Sequence, residues 1–168
     1  MADLPTLVAV LELERLSIEE IADALQDQTG YGHLHLINPG TGELMIWTED
    51  LGIDGKTPMD LDELDELGLV TIEPIPSYVW YQDMVDFAGG LSDQHARDHL
   101  GRALDGRGAF RRFRGTIDRQ SPRVQSTWRE FREVRARRRA VEWLLGNSLI
   151  DDASADRYFE ENPDPELP

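Results

Sequence analysis

At 168 residues the chain fits one domain, and a domain of that size buries roughly 70% of the surface its unfolded form exposes, so it needs no disulfide or metal to hold it. There is no cysteine, which excludes disulfides, thiolate zinc sites and cysteine nucleophiles, and the formal net charge is −16. The charge is unevenly spread: residues 1–96 hold 20 acids and two bases (−18), residues 97–139 hold 14 arginines and five acids (+9), and residues 140–168 hold eight acids and one arginine (−7), so the chain is an electrostatic dipole.

The first 20 residues have a short apolar run but neither a basic segment nor a small-residue cleavage site, and are not expected to act as a signal peptide. No apolar run approaches the roughly 18 residues that span a membrane. Residues 5 to 14, PTLVAVLELE, suit either helix or strand and are read as helix. In LSIEEIADALQDQTG, Ser17 stands three residues before Glu20, the pattern of a capping box. Ile18, Ile21, Ala22 and Leu25 follow at helical spacing, predicting an amphipathic helix that ends near Gly30.

A hairpin comes next, with Tyr31 to Ile37 and Glu43 to Thr48 as β-prone runs around the turn NPGTG. Strand alternation places Leu34 and Leu36 on one face and Tyr31, His33 and His35 on the other. An acidic connector, DGKTPMDLDELDE, has turn chemistry at Asp54-Gly55 and at Pro58. A third short strand, LVTIEPIP, is stopped by Pro74 and Pro76.

Beyond Ser77 the pattern is helical. Ser77 is expected to cap a helix carrying Trp80, Met84 and Phe87, and Ser92 to cap another that ends at Gly106. A helix from Ala109 puts Phe110, Phe113 and Ile117 on one stripe. After the break at Ser121-Pro122 a single long helix runs to Gly146, with Val124, Trp128, Phe131, Val141 and Leu145 as its apolar face. One further turn is expected around Tyr158-Phe159, with NPDPELP beyond it disordered. The fold class is therefore α+β: a small antiparallel three-stranded sheet followed by a helical half with one long C-terminal helix. Residues 1–150 are read as a single domain and 151–168 as an acidic, partly disordered tail.

The Thr41-Gly42-Glu43 hairpin, the Met84/Phe87 helix, GRGAFRRF from Gly106, the Trp128/Phe131 pair and EWL at 142 to 144 together resemble the bacterial uncharacterised protein family 0158. The resemblance covers roughly Ile18 to Leu145. It implies a small cytosolic bacterial protein and implies no activity, catalytic residue or cofactor.

Candidate chemistry concentrates on arginine. A helix beginning near Gly108 would aim its free N–H groups into the Gly106-Arg107-Gly108 turn, close to Arg107, Arg111 and Arg102, and Arg107, Arg111 and Arg114 make a candidate anion or partner-carboxylate site. The same glycines also serve to stop one helix and start another. Without the Lys-Ser/Thr pair of a phosphate-binding loop, and without a preceding strand, nucleotide hydrolysis is disfavoured. On the long helix, Arg132, Arg135 and Arg139 project from one side as a second candidate face, open to an anionic partner or closed by carboxylates within the fold. His95 and His99 at i, i+4 and His33 and His35 at i, i+2 have chelating spacings, but sequence nominates no third ligand, so hydrogen-bonded or surface histidines are expected and no metal or other cofactor is assigned. The acidic run from Asp60 to Glu66 lacks the calcium-loop pattern, and no serine elbow is present. The expected function is a non-catalytic protein-binding or regulatory module of the cytoplasm, with weak nucleic-acid or phosphate-ligand binding as the alternative. The net charge disfavours nucleic acid as the partner.

Overall fold

A computed structural model describes residues 10–29, 32–53, 55 and 57–168. Tyr31, Asp54 and the first five residues of the expected N-terminal helix lie outside the described residues. The chain divides into two compact units, one formed by residues 1–74 and 139–160, the other by residues 75–138 and 161–168. Each has its own physical logic.

The first unit holds the sheet. Of the expected helix, the described residues 10–12 are not helical, and a short 3-10 turn follows at Leu13–Arg15. α1 (Ile18–Gln26) starts at Ser17, whose side chain accepts from the Glu20 amide, one of the two bonds of the expected capping box. It buries Ile21, Ala22, Ala24 and Leu25, all on one face. β1 (Leu34–Ile37) and β2 (Leu44–Trp47) form the expected hairpin, with Gly32, His33, Glu43 and Thr48 of the expected runs lying outside the two strands. Its turn is closed by Asn38, whose carbonyl accepts from Gly42 N and whose side-chain oxygen accepts from Gly40 N, both at 2.8 Å. β3 (Val70–Ile72) pairs with the free edge of β1, giving the antiparallel order β2-β1-β3.

Leu36, Trp47 and Leu64 form a small core cluster in this unit, and the Trp47 indole N–H donates to Met59 O at 2.9 Å. Leu64 comes from α2 (Leu61–Asp65), whose capping box joins Asp60 and Glu63, so the acidic run serves as a helix start.

The second unit is helical. α3 (Ser77–Gly90), α4 (Gln94–Ala103), α5 (Ala109–Ile117) and the first part of α6 (Pro122–Gly146) surround a core that includes Met84, Phe87, Leu100, Phe113, Ile117 and Phe131. The rings of Phe87 and Phe113 each meet Trp128 edge-on, at centroid separations of 5.1 and 4.9 Å. Two expected caps are displaced. Ser77 lies inside α3 behind Pro76, which reaches no amide with a side chain, and α4 is capped by Asp93 rather than Ser92. The Asp93 carboxylate accepts from both His95 N and Ala96 N, which a charged oxygen does better than a hydroxyl.

α6 runs from Pro122 to Gly146, and its described apolar face differs from the expected one at its end: Leu144 is fully buried and Leu145 only partly. Its alanines Ala136 and Ala140 carry the buried stripe across the arginine-rich middle. The tail also differs from expectation. Asp152–Glu161 forms α7, a ten-residue helix in place of a single turn, started by Asp151, whose side chain accepts from Ser154 N. Ala155, fully buried, anchors it. In the final segment Pro168 O accepts from Ser92 N at 2.8 Å, and Leu167 packs on the helical core.

The expected aromatic stripe of α5 splits. Phe113 is 1% exposed and Ile117 5%, whereas Phe110 is 42% exposed, with Ala109 buried one position before it. Residues 109, 113 and 117 are spaced i, i+4, i+8 and take the inner face, which turns position 110 towards solvent. Phe113→Ala is therefore expected to cost about 3–5 kcal/mol of unfolding free energy, and Phe110→Ala under about 1 kcal/mol, as measured by urea denaturation.

Candidate functional site

The turn before α5 is built from two left-handed glycines, Gly106 at φ +74° and Gly108 at φ +76°, a conformation costly for any residue with a Cβ. The Arg112 side chain reaches back under it. Its Nε donates to Ala103 O at 3.2 Å, and its Nη atoms donate to Asp105 O and Arg107 O. One guanidinium thus satisfies carbonyls at the end of α4 and in the turn, the work of a C-terminal cap. Sequence reasoning did not single Arg112 out from its neighbours, because nothing in GRGAFRRF distinguishes the arginine that folds back from those that project.

Arg107, Arg111 and Arg114 project. All three are exposed, and among the described residues their side chains make neither an ion pair nor a hydrogen bond. With Phe110 they sit at i, i+3, i+4 and i+7, one outward stripe of α5 and its lead-in. Phe110 leans edge-on to Tyr81 of α3 at 6.4 Å, and Tyr78, one turn earlier on α3, is 73% exposed.

Beside this stripe, α4, α5 and the start of α6 enclose an open groove of about 880 Å³. Arg102, Arg111, Arg112 and Arg119 line it with His95 and His99, whose rings lie 4.1 Å apart. Asp93 is the one acid in the lining, and its carboxylate is occupied with the cap of α4.

The second candidate face divides. Arg132 is exposed and unpaired among the described residues. Arg135 is closed off: Nη1 contacts Asp83 at 3.3 Å and Asp86 at 2.9 Å, while Nε and Nη2 make a two-pronged contact with Asp164, each at 2.9 Å. Its guanidinium also lies over the Phe131 ring, 4.7 Å from the centroid. Burial works against the charge of Arg135, but the hydrogen bonds to Asp164 and Asp86, with the charges of Asp164 and Asp83, outweigh it and hold the group more firmly protonated than usual. Arg139 is half-buried and not free either, and Arg138 donates to Asn162 O at 2.8 Å. The structure therefore brings Arg107, Arg111 and Arg114 together as an open face, leaves Arg132 apart, and takes Arg135 into the fold.

Charge follows the same division. The sheet unit holds 22 acids and four bases, net −18, and the helical unit 11 acids and 13 bases, net +2. Among the described residues no helix is long and apolar enough to cross a membrane.

With this architecture in place, comparison with known proteins defines the chain. It belongs to Uncharacterised protein family (UPF0158), whose profile matches residues 10–163. That span reaches past the region expected from the motifs and takes in α7. Neither the curated proteins nor the solved structures contain a match to the chain.

The closed Arg135 network has a measurable consequence. Asp83 is 2% exposed, so Arg135→Ala takes from a buried carboxylate the guanidinium facing it and is expected to cost about 3 kcal/mol in urea denaturation. Asp164, 39% exposed on its side chain, is the outer partner, and Asp164→Ala should cost under about 1 kcal/mol.

Proposed function

We propose that this chain is a non-catalytic protein-binding module that engages an acidic surface of its partner through the outward face of α5. One observation carries the reading: Arg107, Arg111 and Arg114, exposed and without an ion pair among the described residues, surround an exposed phenylalanine. Arginine and aromatic side chains are enriched at protein interfaces and supply most of their energetic hot spots. Phe110 offers apolar area, and the guanidinium groups offer paired hydrogen bonds to carboxylates. The net charge of −16 opposes a long polyanion such as nucleic acid, whose binding rests on neutralising many phosphates. The absence of cysteine and the resemblance to a bacterial family support placing the module in the bacterial cytoplasm.

The test is affinity capture with the full chain followed by measurement of the recovered partner in purified form. Phe110→Ala is expected to weaken that complex roughly thirtyfold, about 2 kcal/mol, and the triple change R107E/R111E/R114E to abolish it, while Arg123→Glu on α6 leaves it intact. Equal affinity of the triple variant would overturn the reading. So would tight binding of a short RNA or DNA at physiological salt that the same three changes remove.

The adjoining groove favours a second reading, a phosphate-bearing ligand held by Arg102, Arg111 and Arg119 with His95 and His99. Titration with inorganic pyrophosphate, followed by the imidazole NMR signals of His95 and His99, then gives a saturable shift that R111E/R119E removes. A Kd weaker than about 1 mM would dismiss this ligand class.

A further inference from the structure

A second site lies in the sheet unit, independent of the α5 face. His33 immediately precedes β1 and His35 lies within it, two residues on, so both rings leave the same side of the strand. Asp27 follows the last residue of α1 as its C-cap. The fold brings the three together: Nε2 of His33 and Nε2 of His35 each lie 2.8 Å from the same carboxylate oxygen, Asp27 Oδ2. One potential ligand atom from each residue falls within 4.8 Å of the other two. The imidazole rings stand nearly perpendicular, 86° apart, with centroids separated by 5.3 Å.

We propose that Asp27, His33 and His35 form a binding site for a divalent transition-metal ion, with Zn²⁺ the ion that the donor set fits. Two imidazole nitrogens and one carboxylate oxygen are a recurrent ligand set for such ions, and three protein ligands leave further coordination positions open. With metal–ligand bonds of about 2.1 Å, neighbouring donors around a four-coordinate ion stand about 3.4 Å apart. The 2.8 Å spacings need to open by only about half an ångström, as the ion takes the place of the protons shared between each Nε2 and Oδ2.

The carboxylate is already oriented for this. Its other oxygen, Oδ1, accepts from Thr29 N at 3.0 Å and from the Thr29 hydroxyl, which turns Oδ2 toward the two histidines. The side chains are partly enclosed, 22–24% exposed, yet reachable. An open groove of about 880 Å³ borders His35 and Asp27 and is also lined by Glu20, Asp23 and Glu43. Those carboxylates, on a unit of net charge −18, raise the local concentration of cations.

Isothermal titration of the full chain with Zn²⁺, and visible d–d absorption on addition of Co²⁺, test the site, with Mg²⁺ as a hard-cation control. One Zn²⁺ is expected to bind per chain. Asp27→Asn, His33→Gln and His35→Gln should each weaken it by about a hundredfold or more, and Thr29→Val, which keeps all three ligands, roughly tenfold. H95N/H99N should bind like the unaltered chain. Because a ligand variant can also disturb the hairpin, the unaltered protein supplies a second readout: Zn²⁺ should shift the ¹⁵N resonances of His33 Nε2 and His35 Nε2 together. Failure to bind Zn²⁺, loss of binding only in H95N/H99N, Mg²⁺ competing on equal terms, or unshifted Nε2 signals would each overturn the proposal.

Discussion

The guanidinium of Arg135 is the point on which the helical unit depends. It presents its donors to Asp83 and Asp86 of α3 and to Asp164 of the C-terminal segment, with Phe131 beneath it. A carboxylate as buried as Asp83 is tolerated only when a cation and hydrogen bonds meet it, because desolvation otherwise outweighs anything its burial contributes. The register of α6 against α3 follows from that requirement: moving the helix by one residue would carry Arg135 about 100° away from the two aspartates. The C-terminal segment is held by the same charge, reinforced by Arg138 on Asn162 O and Ser92 N on Pro168 O.

Satisfying the acids in this way decides which arginines face outward. An arginine that folds back onto carbonyls, as Arg112 does, or onto carboxylates, as Arg135 does, is part of the scaffold. Arg107, Arg111 and Arg114 find no such partner among the described residues and hold their charge in solvent, where it costs little. Phe110 costs more, since an exposed phenyl ring forgoes burial that Phe113, three residues on, obtains in full. An aromatic ring left among unpaired cations suits recognition better than stability.

The sheet unit follows a different logic. On one side of β1 Leu36 meets Trp47 and Leu64, and the opposite side carries His35 beside the fully buried Ile37, with His33 adjoining. Asp27, the C-cap of α1, meets those histidines, and Thr29 fixes the carboxylate that receives them. Thr29 and the two imidazoles hold the Asp27 carboxyl well below the usual carboxylate range.

Much of the architecture was legible in the chain. The Ser17 cap, the NPGTG turn between alternating runs, Pro122 at the head of a long helix and the Gly106/Gly108 turn each act through contacts within a few residues, so local chemistry was enough to place α1, the hairpin, α5 and α6. The charge asymmetry and the i, i+2 spacing of His33 and His35 were visible for the same reason. Tertiary structure decided what depends on distant partners. Asp93 displaced Ser92 as a cap, Phe110 turned outward while Phe113 turned in, and Ala155 gave the tail a buried contact to fold against. Arg135 found carboxylates 49, 52 and 29 residues away, and Asp27 met histidines six and eight residues on. Which arginine is paired and which is open is a long-range question, because every guanidinium carries the same charge and only the folded chain determines which of them a carboxylate can reach.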